Sequence, residues 1–152
     1  FKEGAPKYAG FGIALMGLIG PLLTGLLLWL AARVAGVRAT LGRAMMIATF
    51  AFYPIIVEML VNAAQALVLA DGAITSRQSL SLGPARFLDA ASTSAVVMVL
   101  VGHVDVFTIW MAVLMAIGLK VVARATTSQA ATAAAIMWVV GLLPGLLGAL
   151  RS

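Results

Sequence analysis

Five carboxylates and one imidazole are the acid–base chemistry on offer in this chain of 152 residues. Glu58 is the most informative of them. Pro54, Asn62 and Gln65 lie four before, four after and seven after it, so on a helix all four share one face. The surrounding stretch is apolar, and an ionised carboxylate in lipid costs roughly 2.5–3.5 kcal/mol on insertion scales. The face must therefore point into a bundle. It reads either as a proton-titrating or cation-binding group or as hydrogen-bonding glue between helices. His103 and Asp105 form a second constellation, two residues apart at a junction between apolar segments. They could share a hydrogen bond that makes the histidine a proton switch. Alternatively Asp105 caps the helix that follows, with a value near 1 kcal/mol, and His103 sits among head groups.

Enzyme chemistry finds little support. The sequence holds no His-Glu-x-x-His helix, no phosphate loop ending in Gly-Lys-Ser/Thr and no Gly-x-Ser-x-Gly elbow. With no cysteine there is no disulfide, thiolate nucleophile or covalently attached haem, and a lone histidine makes no ordinary zinc site. No catalytic residue, metal or cofactor is expected.

The elements that position these groups follow from composition. Hydrophobic residues make up 63% of the chain and charged ones 10%, with a mean hydropathy of +1.12. A soluble domain carries about a quarter of its residues charged, so this surface faces lipid. Spanning backbone must bond to itself, as helices or as a closed barrel. Barrel strands alternate apolar and polar residues. Here the apolar runs are unbroken, and the fold class is an all-α integral membrane bundle forming one domain over 1–152.

Five spans are expected, at about 10–32, 44–70, 87–103, 106–122 and 128–150. The third is the weakest. Its first half holds Asp89, Ser92, Thr93 and Ser94, and only Ala95 to Val101 is fully apolar. The alternative is four spans with a re-entrant or interfacial helix at 87–104. Gly17, Gly20 and Gly25 in the first span, and Gly141 and Gly145 in the last, allow helices to approach closely.

A net charge of +5 does not make this a nucleic-acid binder, because the ten basic residues are scattered and lack aromatic interleaving. Arg33, Arg38 and Arg43 recur every fifth residue in one connection. They read as topology determinants, or as contacts to lipid phosphate or to an acidic partner. Five spans would put six basic residues on the N-terminal side against four, making the N-terminus cytoplasmic; four spans split them five against five. Seven arginines against three lysines, with abundant alanine, suggest a bacterial source.

The run Asp105-Val-Phe107-Thr-Ile-Trp110, closing at Gly118-Leu119, resembles the signature span of the YIP family of five-span, Rab-interacting membrane proteins and their bacterial relatives. Tyr53-Pro54 and the small-residue span beginning near Ser128-Gln-Ala130 are similar to that family too. The chain departs from it at the N-terminus, where members carry a longer cytoplasmic segment; it opens here at Phe1, as a processed or partial form would. The resemblance implies a membrane organiser rather than a catalyst, without carrying the GTPase role to a bacterial relative.

Two functions are therefore expected. The first is a non-catalytic scaffold or accessory subunit of the bacterial cytoplasmic membrane, packed against lipids, other membrane proteins or copies of itself. The second is a small transporter or channel component working through Glu58.

Overall fold

Polar side chains mark where the helices begin. In the computed structural model Thr40, Ser94, Asp105 and Thr126 have extended backbone, and each accepts a hydrogen bond from a backbone N–H in the first turn that follows. At Asp105 and Thr126 the bond is returned, because Thr108 and Gln129 complete reciprocal capping boxes. The structure describes residues 9–69, 77–89 and 91–151, with side chains over 19–69, 79–89 and 91–151. The helices are α1 (Ala9–Val34), α2 (Leu41–Ala51), α3 (Tyr53–Val68), α4 (Ala95–Gly102), α5 (Val106–Val122) and α6 (Thr127–Ala149). Two short 3-10 turns, Arg77–Leu80 and Pro84–Phe87, lie between α3 and α4.

These elements stack as four helical columns: α1, α2 with α3, α4 with α5, and α6. Leu41–Val68 and Thr127–Ala149 are each long and apolar enough to cross a bilayer. The α4–α5 pair passes the same test only as one span, bent by 50° at its break. Within α1, Ile19–Val34 is apolar, and the whole helix of 26 residues rises about 39 Å. The chain is an all-helical membrane protein, and among the described residues there is no strand.

The five expected spans need correction at the third. Helix over 87–103 is confined to Ala95–Gly102, which rises only about 12 Å against a hydrocarbon core near 30 Å. The polar residues before it explain this. Ala91 N–H and Ser92 Oγ both donate to the Asp89 carboxylate and close a turn there, and Ser94 starts the helix late by capping it. Those two donors hold the Asp89 carboxyl below its ordinary range. The six-to-four basic count assumed a separate third crossing. With four columns the split is five against five. The second expected span starts earlier than 44, at Leu41, and its helix ends at Val68, residue 70 lying outside the described residues. It is interrupted at Phe52, where Pro54 occupies the first turn of α3.

Where α1, α2, α5 and α6 meet, the core is made largely of alanine (among them Ala31, Ala32, Ala44, Ala48, Ala130 and Ala133), with Leu28, Ile47, Met115, Leu119 and Met137 as its larger members. Small residues let the backbones approach. A Cβ on Gly25 would stand 2.8 Å from Met45 Cα, and one on Gly118 2.5 Å from Ile47 Cγ2. Gly36, at φ +78°, turns the chain out of α1. Its carbonyl accepts from Gln129 Nε2 at 3.1 Å, which fastens the α1–α2 connection to the start of α6.

Candidate functional site

Helix α3 is built inside out. Its large apolar side chains face outward, with Met59 66% and Leu67 88% exposed. Pro54 is buried on the opposite face, and Glu58, Asn62 and Gln65 are half-buried there. In water this orientation would be costly. In lipid it satisfies both faces. Gln65 Nε2 donates to the carbonyl of Leu80 at 3.1 Å, tethering the first 3-10 turn to the helix.

That tethered segment continues to the break in the third column. The Ser81 hydroxyl donates to Asp105 Oδ2 at 2.8 Å and accepts from Gly83 N–H at 3.0 Å. Asp105 Oδ1 accepts from Phe107 N–H at 2.9 Å. The carboxylate is 7% exposed and bonded through both oxygens. Gly83 lies flush against the break, since a Cβ there would collide with the Val104 carbonyl. One hydroxyl holds the break itself: Thr108 Oγ1 is 2.7 Å from the His103 carbonyl and 2.9 Å from that of Asp105, and it accepts from Asp105 N–H at 3.3 Å.

The hydrogen bond expected between His103 and Asp105 gives way to separate partners. Asp105 has N-cap geometry, which turns its carboxylate onto its own helix terminus. His103 Nε2 lies 2.7 Å from the carbonyl of Trp138 on α6. A carbonyl only accepts, so Nε2 is the donor of this bond. The two rings lie 4.8 Å apart, tilted by 53°.

The stripe and the junction nevertheless meet. Glu58, Asn62, Ser81, His103, Asp105 and Thr108 supply the polar lining of one cavity of about 480 Å3 between α3, α4, α5 and α6. Gly141 and Gly145 form its α6 wall, where a Cβ would stand 3.2 Å from His103 Cε1 and 2.9 Å from Val99 Cγ1 respectively. Gln65 is outside the lining. His103, Thr108 and Gly141 also border a smaller apolar cavity of about 230 Å3 whose lining includes Met111, Met115 and Trp138. The Trp138 Nε1–H is buried and unpartnered among the described residues. No three of His, Cys, Asp and Glu cluster as metal ligands among those residues.

The sequence reading missed Ser81, Thr108 and Gln129. Thr108 and Gln129 had a local signal, each standing third after a capping residue. Ser81 had none, because its partner is 24 residues away. Of the packing glycines, a Cβ on Gly20 would stand 3.6 Å from Phe52 Cε1, an ordinary contact, and the surroundings of Gly17 lie outside the described residues. Arg33 and Arg38 line one groove away from the cavity, and Arg43 is not part of its lining.

The family model of the Yip1 domain matches residues 3–148. The chain belongs to the Yip1 domain family. The residues on which the sequence resembles that family do structural work in this fold. Asp105 caps α5, Phe107 is buried behind it, Gly118 admits Ile47, and Trp110 stands 40% exposed on the outer face. No curated protein and no solved structure matches this Yip1 chain.

Proposed function

We propose that this Yip1 protein is a non-catalytic scaffold or accessory subunit of a bacterial cytoplasmic membrane, packing against a partner membrane protein. The observation that carries this reading is a shallow groove of about 380 Å3 between α5 and α6, floored by Ala112, Ala116, Ala131, Ala134 and Ala135. Helices associate in lipid by close backbone approach over small side chains, and this groove offers such a surface facing out. Gly25, Gly118, Gly141 and Gly145 are by contrast already covered within the chain. The polar groups add support, because Asp105, Thr108, Gln65 and Gln129 are engaged in building the bundle.

The test is affinity purification from native membranes in mild detergent, followed by mass spectrometry, on the native chain and on Ala131→Leu. Leucine keeps the helix and fills the groove. The native chain should bring a stoichiometric companion, and the variant should lose it about tenfold, a loss of roughly 1.4 kcal/mol at the contact. Purification of the native chain alone would overturn the reading.

A second reading has its own observation: Glu58, Asn62 and His103 share a polar cavity inside the bundle. On that reading Glu58 carries a proton or a small cation, and Glu58→Gln abolishes flux in liposomes while leaving assembly intact. Equal flux from variant and native protein would end it.

A further inference from the structure

Among the described residues, one end of the bundle carries cations and no acid. Arg33 lies in the last turn of α1, Arg38 and Arg43 follow, Lys120 lies in the last turn of α5 and Arg124 comes just after it. The Gln129–Gly36 hydrogen bond brings these connections together. The described carboxylates lie elsewhere: Glu58 within α3, Asp89 before α4, and Asp105 at the far terminus of α5.

Two of these cations line a single open groove of about 610 Å3 with Trp29, Ala39, Thr40 and Leu41. Both are placed by the fold. The Arg33 guanidinium lies 4.6 Å from the Trp29 ring centroid, a cation–π distance. Arg38 stands outward because its neighbours Val37 and Ala39 are buried on either side of it in an extended stretch. Thr40, the groove's hydroxyl, caps α2, and the positive end of that helix points the same way.

From the groove an apolar track runs along α1. Leu26 and Leu22, three and seven residues before Trp29, share its face and are 39% and 53% exposed. Cations at head-group depth above an apolar track match a phosphate ester joined to acyl chains. We infer that the Arg33–Arg38 groove is a binding site for an anionic phospholipid, its phosphate held between the two guanidinium groups and an acyl chain lying along Leu26 and Leu22.

Native mass spectrometry of the full chain in detergent tests this with phosphatidylglycerol, phosphatidylcholine and inorganic phosphate as probes. One phosphatidylglycerol should bind in preference to phosphatidylcholine, and millimolar inorganic phosphate should not displace it. R33Q/R38Q should weaken phosphatidylglycerol binding about 30-fold, at about a kilocalorie per mole for each basic residue near the surface. R86Q/R151Q, which removes the same charge from other connections, should leave binding within about twofold on the same scale. Should the double variant fold poorly, R38Q alone, at an exposed side chain, should still cost about fivefold. Equal binding of phosphatidylcholine would overturn the inference, as would an equal loss in R86Q/R151Q. Displacement by inorganic phosphate would make the groove a free-phosphate site and reject the lipid.

Discussion

Asp105→Ala should lower the unfolding free energy by about 3 kcal/mol, the sum of a lost N-cap near 1 kcal/mol and a lost charged hydrogen bond of about 2 kcal/mol. Few side chains here hold so much together. Asp105 caps α5 through Phe107 N–H and fastens the 77–87 segment to the break through Ser81. Alanine takes the carboxylate partner from both the Ser81 hydroxyl and the Phe107 N–H, and donors left unsatisfied carry the larger share of such losses. Asp105→Asn keeps an acceptor for the cap and should cost about half as much. Ser81→Ala removes the tether and the acceptor of Gly83 N–H, at about 1.5 kcal/mol. The Ser81→Ala/Asp105→Ala pair should cost less than the sum of the two, because both delete one bond. Thermal unfolding in detergent, followed by helical circular dichroism, measures all four. An Asp105→Ala protein as stable as the native chain would remove this network from the account.

Much of this architecture was legible from the residues. The composition specified helices in lipid, and the polar residues at 58, 62 and 65 specified which face of α3 turns inward. That inference works because lipid reverses the usual pattern: the minority polar residues, not the apolar ones, locate the interior. The third segment was harder. The apolar run from Ala95 to Val101 has no period to separate a short helix from the end of a long one. The decision lies in Asp89, Ser92 and Ser94, whose side chains bond to nearby backbone or to one another instead of leaving the backbone helical.

The shared cavity was out of reach for a different reason. Glu58 and His103 line one cavity only because α3 packs on α5 and α4 on α6, and the Ser81–Asp105 bond joins residues with no local signal. Proximity in sequence misled in the opposite direction. His103 and Asp105 are two residues apart, yet one ends a helix and the other starts the next, which turns their side chains to separate partners.

The central structural claim is four columns, the third broken at His103–Asp105, and the absence of cysteine makes it directly testable. Single cysteines at Val34, Ala91, Ser128 and Arg151, all exposed in the structure, can be labelled with a membrane-impermeant maleimide in intact and in opened cells. Residue 36 lies against residue 129, so positions 34 and 128 should label from the same side of the membrane. Positions 91 and 151 should label together from the other side. Five crossings would instead separate 34 from 128. Labelling of those two positions from opposite sides would contradict the four-column bundle and the placement of Glu58, His103 and Asp105 that depends on it.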